Sequence, residues 1–175
     1  PTVPHRARRR THAAREPTTT IEQIPAEGSR IVVGVDGSEP SRHALRWAKF
    51  IAQASDGIIE VVAAWLPYTA YGWLGAGWAM VPTDWNPAQD AEKGLTASVD
   101  EVFGEHRPAG LRVTVREGSP AHVLLEVSQG ARMLIVGSRG HGGFAGLLLG
   151  SVSTACAEHA TCPVLVLHGD TPPPN

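Results

Sequence analysis

From Ile31 onward, short β-branched apolar runs alternate with segments of helical periodicity, and this alternation constrains the fold more than any other feature. Runs such as Ile31-Val32-Val33 and Met133-Leu134-Ile135-Val136 are apolar on both sides, so they need cover on both faces. A parallel sheet with helices above and below supplies that cover. Five strands are predicted, over Ile31–Val35, Ile58–Ala64, Leu111–Glu117, Arg132–Gly137 and Pro163–Leu167. Ala44, Ala48, Ile51 and Ala52 share one face of a first helix. Ala91, Leu95, Val99, Val102 and Phe103 share a face of a second, with Pro87 suited to its first turn. Shorter helices fit Ala121–Gln129, stopped by Gly130, and Ser151–His159. Right-handed crossovers then favour an α/β, doubly wound, five-stranded parallel sheet of order 3-2-1-4-5. In that order the strand sequence reverses between strands 1 and 4. A ligand crevice is therefore expected beyond their C-terminal ends, with the Asp36-Gly37-Ser38 loop beside the loop that begins at Gly137.

Composition narrows the class. With 175 residues, 42% hydrophobic and 18% charged, the chain has the make-up of one globular domain. No run approaches the roughly 18–20 consecutive apolar residues of a membrane span, and the arginine-rich start has no apolar h-region. Neither a spanning helix nor a Sec signal is expected. Cys156 and Cys162 are too few for a disulfide framework or a four-thiolate zinc site, which points to a reduced, cytoplasmic setting. Residues 1–30 carry six Arg against three Glu, while the remainder carries nine Lys and Arg against fourteen Asp and Glu. An acidic body argues against a nucleic-acid-binding face, which needs a basic stripe to neutralise phosphates. The cluster Arg6, Arg8, Arg9, Arg10 and Arg15 reads as a solvated tail over residues 1–29. A single domain over 30–168 and a Pro-rich tail over 169–175 complete the expected organisation. The aromatic stretch Leu66–Gln89, with Tyr68, Tyr71, Trp73, Trp78 and Trp85, is expected to cover an open sheet edge; closure over a ligand base and a dimer contact are the alternatives.

The segment from Gly137 to Ser153 carries the chemistry. It follows an apolar strand, is rich in glycine and leads into a helix near Gly150-Ser151. Glycines let a backbone approach a ligand closely, and a helix N-terminus presents unpaired N–H groups at the positive end of its dipole. This is anion-binding chemistry, most simply for a polyphosphate. Ser151 and Ser153 offer hydroxyl donors or helix caps, and Arg139 a phosphate partner or a solvent-facing charge. Asp36, ending the first strand, is placed to accept from ribose hydroxyls or an exocyclic amine, or else to cap the following helix. A G-x-x-x-x-G-K-[ST] loop is absent, which excludes a Walker-type NTPase. Gly140, Gly142 and Ala145 satisfy G-x-G-x-x-A, but after the fourth strand rather than the first, and without the acidic strand end that a dinucleotide fold requires.

Gly137, Gly140, nine residues and then Gly150-Ser151 fit the spacing G-x-x-G-x(9)-G-[ST]. With Val33-Gly34-Val35-Asp36-Gly37-Ser38, Val115-Arg116-Glu117-Gly118-Ser119-Pro120 and Cys162-Pro163-Val164-Leu165-Val166, the chain resembles a universal stress protein domain of the ATP-binding type over about Arg30–His168. The resemblance implies that ATP is the ligand, its Mg2+ held mainly by the phosphates. It implies Asp36 at the adenosine, Ala64 at the adenine and Gly137 at the ribose. Gly140, Gly150, Ser151, Val152 and Ser153 would meet the phosphates, Gly34 and Arg139 completing the candidate site. It further implies a homodimer through the last strand at Val164 and Val166.

Catalytic machinery is sparse. Phosphoryl transfer needs a positioned water, a base or orienting group and charge neutralisation. Only Asp36, Arg139 and His141 ionise near the glycine loop, so no catalytic residue is assigned. The histidines show no metal-ligand spacing, and Cys156 and Cys162 are expected to be structural. The sequence therefore points to a nucleotide-dependent regulatory module. A slow ATPase or phosphotransferase and a nucleotide-free dimerising scaffold are the alternatives.

Overall fold

The computed structural model describes residues 29–67, 85–140, 149–170 and 172–174. In chain order the elements are β1 (Arg30–Gly34), α1 (Glu39–Ser55), β2 (Ile58–Trp65), α2 (Pro87–Phe103), β3 (Arg112–Glu117), α3 (Pro120–Val127), β4 (Met133–Gly137), α4 (Ser151–His159) and β5 (Val164–Leu167). The five strands form one parallel sheet of order β3-β2-β1-β4-β5, as the alternation predicts.

Period-2 alternation sorts the strand residues between two cores. Ile31, Val33, Val35, Ile59, Val61 and Ile135 pack under α1 and α2 with Ala44, Leu45, Ala48, Leu95, Val99 and Phe103. Val32, Val62, Leu134 and Val136 point to the other face and meet Val123, Leu124 and Val127 of α3 and Cys156 of α4. Removing both faces from water is the main stabilising contribution, about 25 cal/mol per Å2 of apolar surface. The sheet also holds one buried charge, Glu60, which accepts from Arg30 at 2.7 Å and from Thr114 at 2.8 Å on the flanking strands. Pairing of this kind is what makes a buried carboxylate tolerable.

Caps explain where helices begin. Ser38 caps α1 by accepting from the Ser41 N–H, and Asn86 caps α2 by accepting from the Gln89 N–H at 3.2 Å. Pro40 and Pro87 occupy first-turn positions, where a missing N–H costs nothing. Several ends differ from the predicted ones. β5 starts at Val164 because Pro163 has no N–H and contributes only its carbonyl, to Leu134 at 2.9 Å. α3 stops at Val127, with Ser128 donating back to Leu124, and Gly130 at φ 68° turns the chain toward β4. Trp85 donates its indole N–H to Asp90 Oδ2 at 2.6 Å, securing the start of α2. The predicted tail up to residue 28 and the remaining aromatics of the 66–89 stretch lie outside the described residues.

Candidate functional site

Three chain segments converge beyond the C-terminal ends of β1 and β4. The Asp36–Ser38 turn leaves β1, Gly137–Gly140 leaves β4, and the N-terminus of α4 faces both. Together with the end of β2 and the start of α3 they enclose a cavity of about 880 Å3, within the roughly 300–1,000 Å3 of small-molecule sites. All ten candidates line it: Gly34, Asp36, Ala64, Gly137, Arg139, Gly140, Gly150, Ser151, Val152 and Ser153. His141 and the middle of the glycine loop lie outside the described residues.

The ends of that loop are tied together. The Ser138 carbonyl accepts from the Gly150 N–H at 2.7 Å and from Ser153 Oγ at 2.9 Å. Ser153 is buried, and its hydroxyl also lies 3.0 Å from the Gly150 carbonyl, so that side chain fastens the loop to α4. No side chain caps α4. Its first backbone bond joins the Thr154 N–H to the Gly150 carbonyl at 2.9 Å, which leaves the N–H groups of Ser151, Val152 and Ser153 ahead of the hydrogen-bonded ladder. These donors and the helix dipole give the cavity wall positive character.

The glycines differ in what they permit. At Gly137 an added Cβ would lie 2.9 Å from the carbonyl carbon, oxygen and Cβ of Pro40, so α1 can approach β4 only because this position is bare. At Gly34 a Cβ would meet Leu124 at 2.8 Å. At Gly140 it would overlap Asp36 Oδ2. Gly150 is different. Its φ of −79° and ψ of 167° suit any residue, and a Cβ would stand 3.5 Å or more from its nearest neighbours among the described residues. There a side chain would project beside the uncapped α4 N-terminus.

Asp36 does not cap α1, because Ser38 does. Its carboxylate instead accepts at Oδ1 from the Ser38 N–H at 3.0 Å and from Ser38 Oγ at 2.5 Å. Gly37, at φ 82°, makes the turn possible, and Arg42 holds the Gly37 carbonyl at 2.6 Å. Arg42 and Arg46 both pair with Glu39 and hold its carboxyl below the usual range, Arg46 being the larger cause. Sequence reasoning missed the wall formed by Ser41, Pro120, Leu124, Thr154 and Glu158, which also line the cavity. The packing of α3 beside α4 brings Pro120, Leu124, Thr154 and Glu158 to it, while Ser41 enters from the first turn of α1. The spacing of Ser151, Thr154 and Glu158 at i, i+3 and i+7 was the available signal that they share a helix face. Cys156 is fully buried in the α3–α4 core and its thiol is pushed up to about 11, by burial first and by Cys162 second. It is therefore protonated at neutral pH, which fits the structural role expected of it.

The chain belongs to the universal stress protein family, whose match covers residues 28–168. A universal stress protein of Mycolicibacterium smegmatis is 34% identical over 141 residues, 80% of this chain and 48% of that protein. One from Mycobacterium tuberculosis is 36% identical over 140 residues, 78% of this chain and 44% of its own length. The chain thus spans about half the length of the curated relatives it matches. Among solved structures, a universal stress protein in complex with cAMP is similar at 28% identity and a TM-score of 0.51, over 79% of this chain and 95% of that one. UspA from Lactobacillus plantarum shares the fold at 19% identity and a TM-score of 0.62, over 82% of this chain and 99% of its own. So does a protein from Archaeoglobus fulgidus in complex with dAMP, at 20% identity and a TM-score of 0.54, over 78% of this chain and 95% of its own. Among the described residues, no helix is long and apolar enough to cross a membrane.

Proposed function

We propose that the cavity at the ends of β1 and β4 binds ATP, and that its occupancy makes this chain a nucleotide-dependent regulatory module in a cytoplasmic stress response. One observation carries the reading: Gly150 leaves room beside an uncapped α4 N-terminus although neither backbone conformation nor packing of the described residues requires glycine there. Phosphate oxygens are suited to that space, accepting from the N–H groups of Ser151, Val152 and Ser153. Ala64, with Val62 and Leu124 in the same lining, offers an apolar surface for the adenine, while Gly137 and Asp36, which also line the cavity, are the proposed contacts of the ribose and the adenosine. The similar proteins in complex with cAMP and dAMP support an adenine nucleotide as the ligand class.

Among the described residues no three His, Cys, Asp or Glu side chains gather in a metal-holding group. In this reading Mg2+ travels with the phosphates, where it neutralises their charge. The chain's own contribution is to hold and orient the nucleotide. Signalling has a short mechanical route, since α4 leads into β5 and the Ser138 N–H donates to the Leu167 carbonyl at 2.8 Å. Val164 and Val166 are half-buried on that edge strand and are the proposed homodimer contact. Denaturing freshly purified protein and identifying the released small molecules by mass spectrometry tests the ligand. ATP or ADP is expected; a stoichiometric compound of another class would contradict the reading.

A further inference from the structure

The two oxygens of Asp36 face different ways. Oδ1 is held from behind by Ser38, through its N–H at 3.0 Å and its Oγ at 2.5 Å. The same Ser38 Oγ accepts from the Ser41 N–H at 3.3 Å, so its single proton is directed to Asp36. Ser41 closes the circuit. Its Oγ donates to the Ser38 carbonyl at 2.9 Å and accepts from the Asp36 N–H at 3.3 Å. Ser38 and Ser41 are only 8% and 4% exposed, so the circuit is buried behind a carboxylate that is itself exposed to the cavity. Oδ2 lies against Gly140, at the glycine-loop end of the cavity.

The geometry points to Ser38 as a positioning residue: it fixes Asp36 so that Oδ2 accepts from a sugar hydroxyl, and thereby makes the site prefer nucleotides whose ribose carries that hydroxyl. This inference rests on the nucleotide reading above. An ionised carboxylate oxygen accepts and never donates, so it rewards a ligand hydroxyl at that place. Asp36 can discriminate only if it does not swing away, and the bonds from Ser38 prevent that swing.

Ser38 also caps α1, so the test has to separate the two roles. Glycine is nearly as good an N-cap as serine but has no hydroxyl to give, whereas threonine restores the hydroxyl. The full chain, stripped of nucleotide, is titrated in Mg2+ with ATP and with 2′,3′-dideoxy-ATP. Wild type should prefer ATP by about tenfold, the scale of one hydrogen bond to a charged group. Ser38→Gly should weaken ATP to the level of the dideoxy nucleotide while leaving the latter unchanged, and Ser38→Thr should restore the preference. In an Asp36→Asn background, Ser38→Gly should change nothing further. Equal weakening of both nucleotides by Ser38→Gly would reduce Ser38 to a structural cap, and a wild type without preference would overturn the ribose assignment. If wild type binds neither nucleotide, the nucleotide reading itself fails, a result distinct from the other two.

Discussion

Replacing Gly150 with aspartate should raise stability and abolish nucleotide binding at once. Position 150 is the N-cap of α4, its dihedral angles are those of an N-cap, and no side chain now fills that role. Aspartate is a better cap than glycine by a few tenths of a kcal/mol, and its charge at the positive end of the helix adds about 0.3–1 kcal/mol. A Cβ has ordinary contacts, the nearest being the Ser138 carbonyl at 3.5 Å. The ligand-free protein should therefore gain about 1 kcal/mol, which for a domain of this size raises Tm by about 2–4 °C. The same carboxylate would occupy the space proposed for phosphate. Two unit charges about 4 Å apart at an effective dielectric near 20 repel by about 4 kcal/mol, close to a thousandfold in affinity. Screening by Mg2+ and solvent reduces this, and a loss of at least about a hundredfold is expected. Thermal unfolding without ligand and calorimetric titration with ATP in Mg2+ measure the two effects. A Tm that falls by several degrees would mean that the fold itself needs glycine at 150. ATP affinity retained within about threefold would mean that phosphate does not sit at α4.

Gly137→Ala should do the opposite, because its Cβ would meet the Pro40 backbone at 2.9 Å; a loss of about 1–3 kcal/mol in urea unfolding is expected. Cys156 should resist alkylation in the native protein at neutral pH while Cys162 reacts, as read by peptide mass spectrometry; equal labelling would contradict the burial of its thiol. Since folding raises the Cys156 thiol from 9.0 to about 11, its contribution is complete below pH 9 and should be lost as pH rises toward 11. Val166→Lys should convert the proposed homodimer to monomer on a sizing column, because it places a charge on the half-buried face of the edge strand.

The sheet order was legible because both-sided apolar runs and helix periods alternate from Ile31 to Leu167, with the aromatic Leu66–Gln89 stretch as the exception. The convergence of Asp36 with Gly137–Gly140 followed from that order alone. Strand ends were less legible. The strength of hydrophobic runs does not reveal that Pro163 contributes no donor or that β1 takes Arg30 into its ladder against Ile58. Glu60 shows why: within Ile-Ile-Glu-Val-Val it looks like an interruption, and only its partners on β1 and β3 explain it. The site was legible where local chain geometry builds it, as at α4, and illegible where tertiary packing does, as at Pro120, Leu124 and Glu158. The division of labour between Asp36 and Ser38 was hidden for a similar reason. Both residue types make good caps, and only the direction of their hydrogen bonds separates carboxylate from cap.

An amide NMR titration of the full chain with ATP in Mg2+ tests most directly whether this cavity takes the nucleotide. Saturating shifts are predicted for the Ser151, Val152 and Ser153 amides and for Gly137–Gly140, with little change along the opposite ends of the strands. An absence of shifts at millimolar ATP, or saturating shifts confined to another surface, would contradict the account.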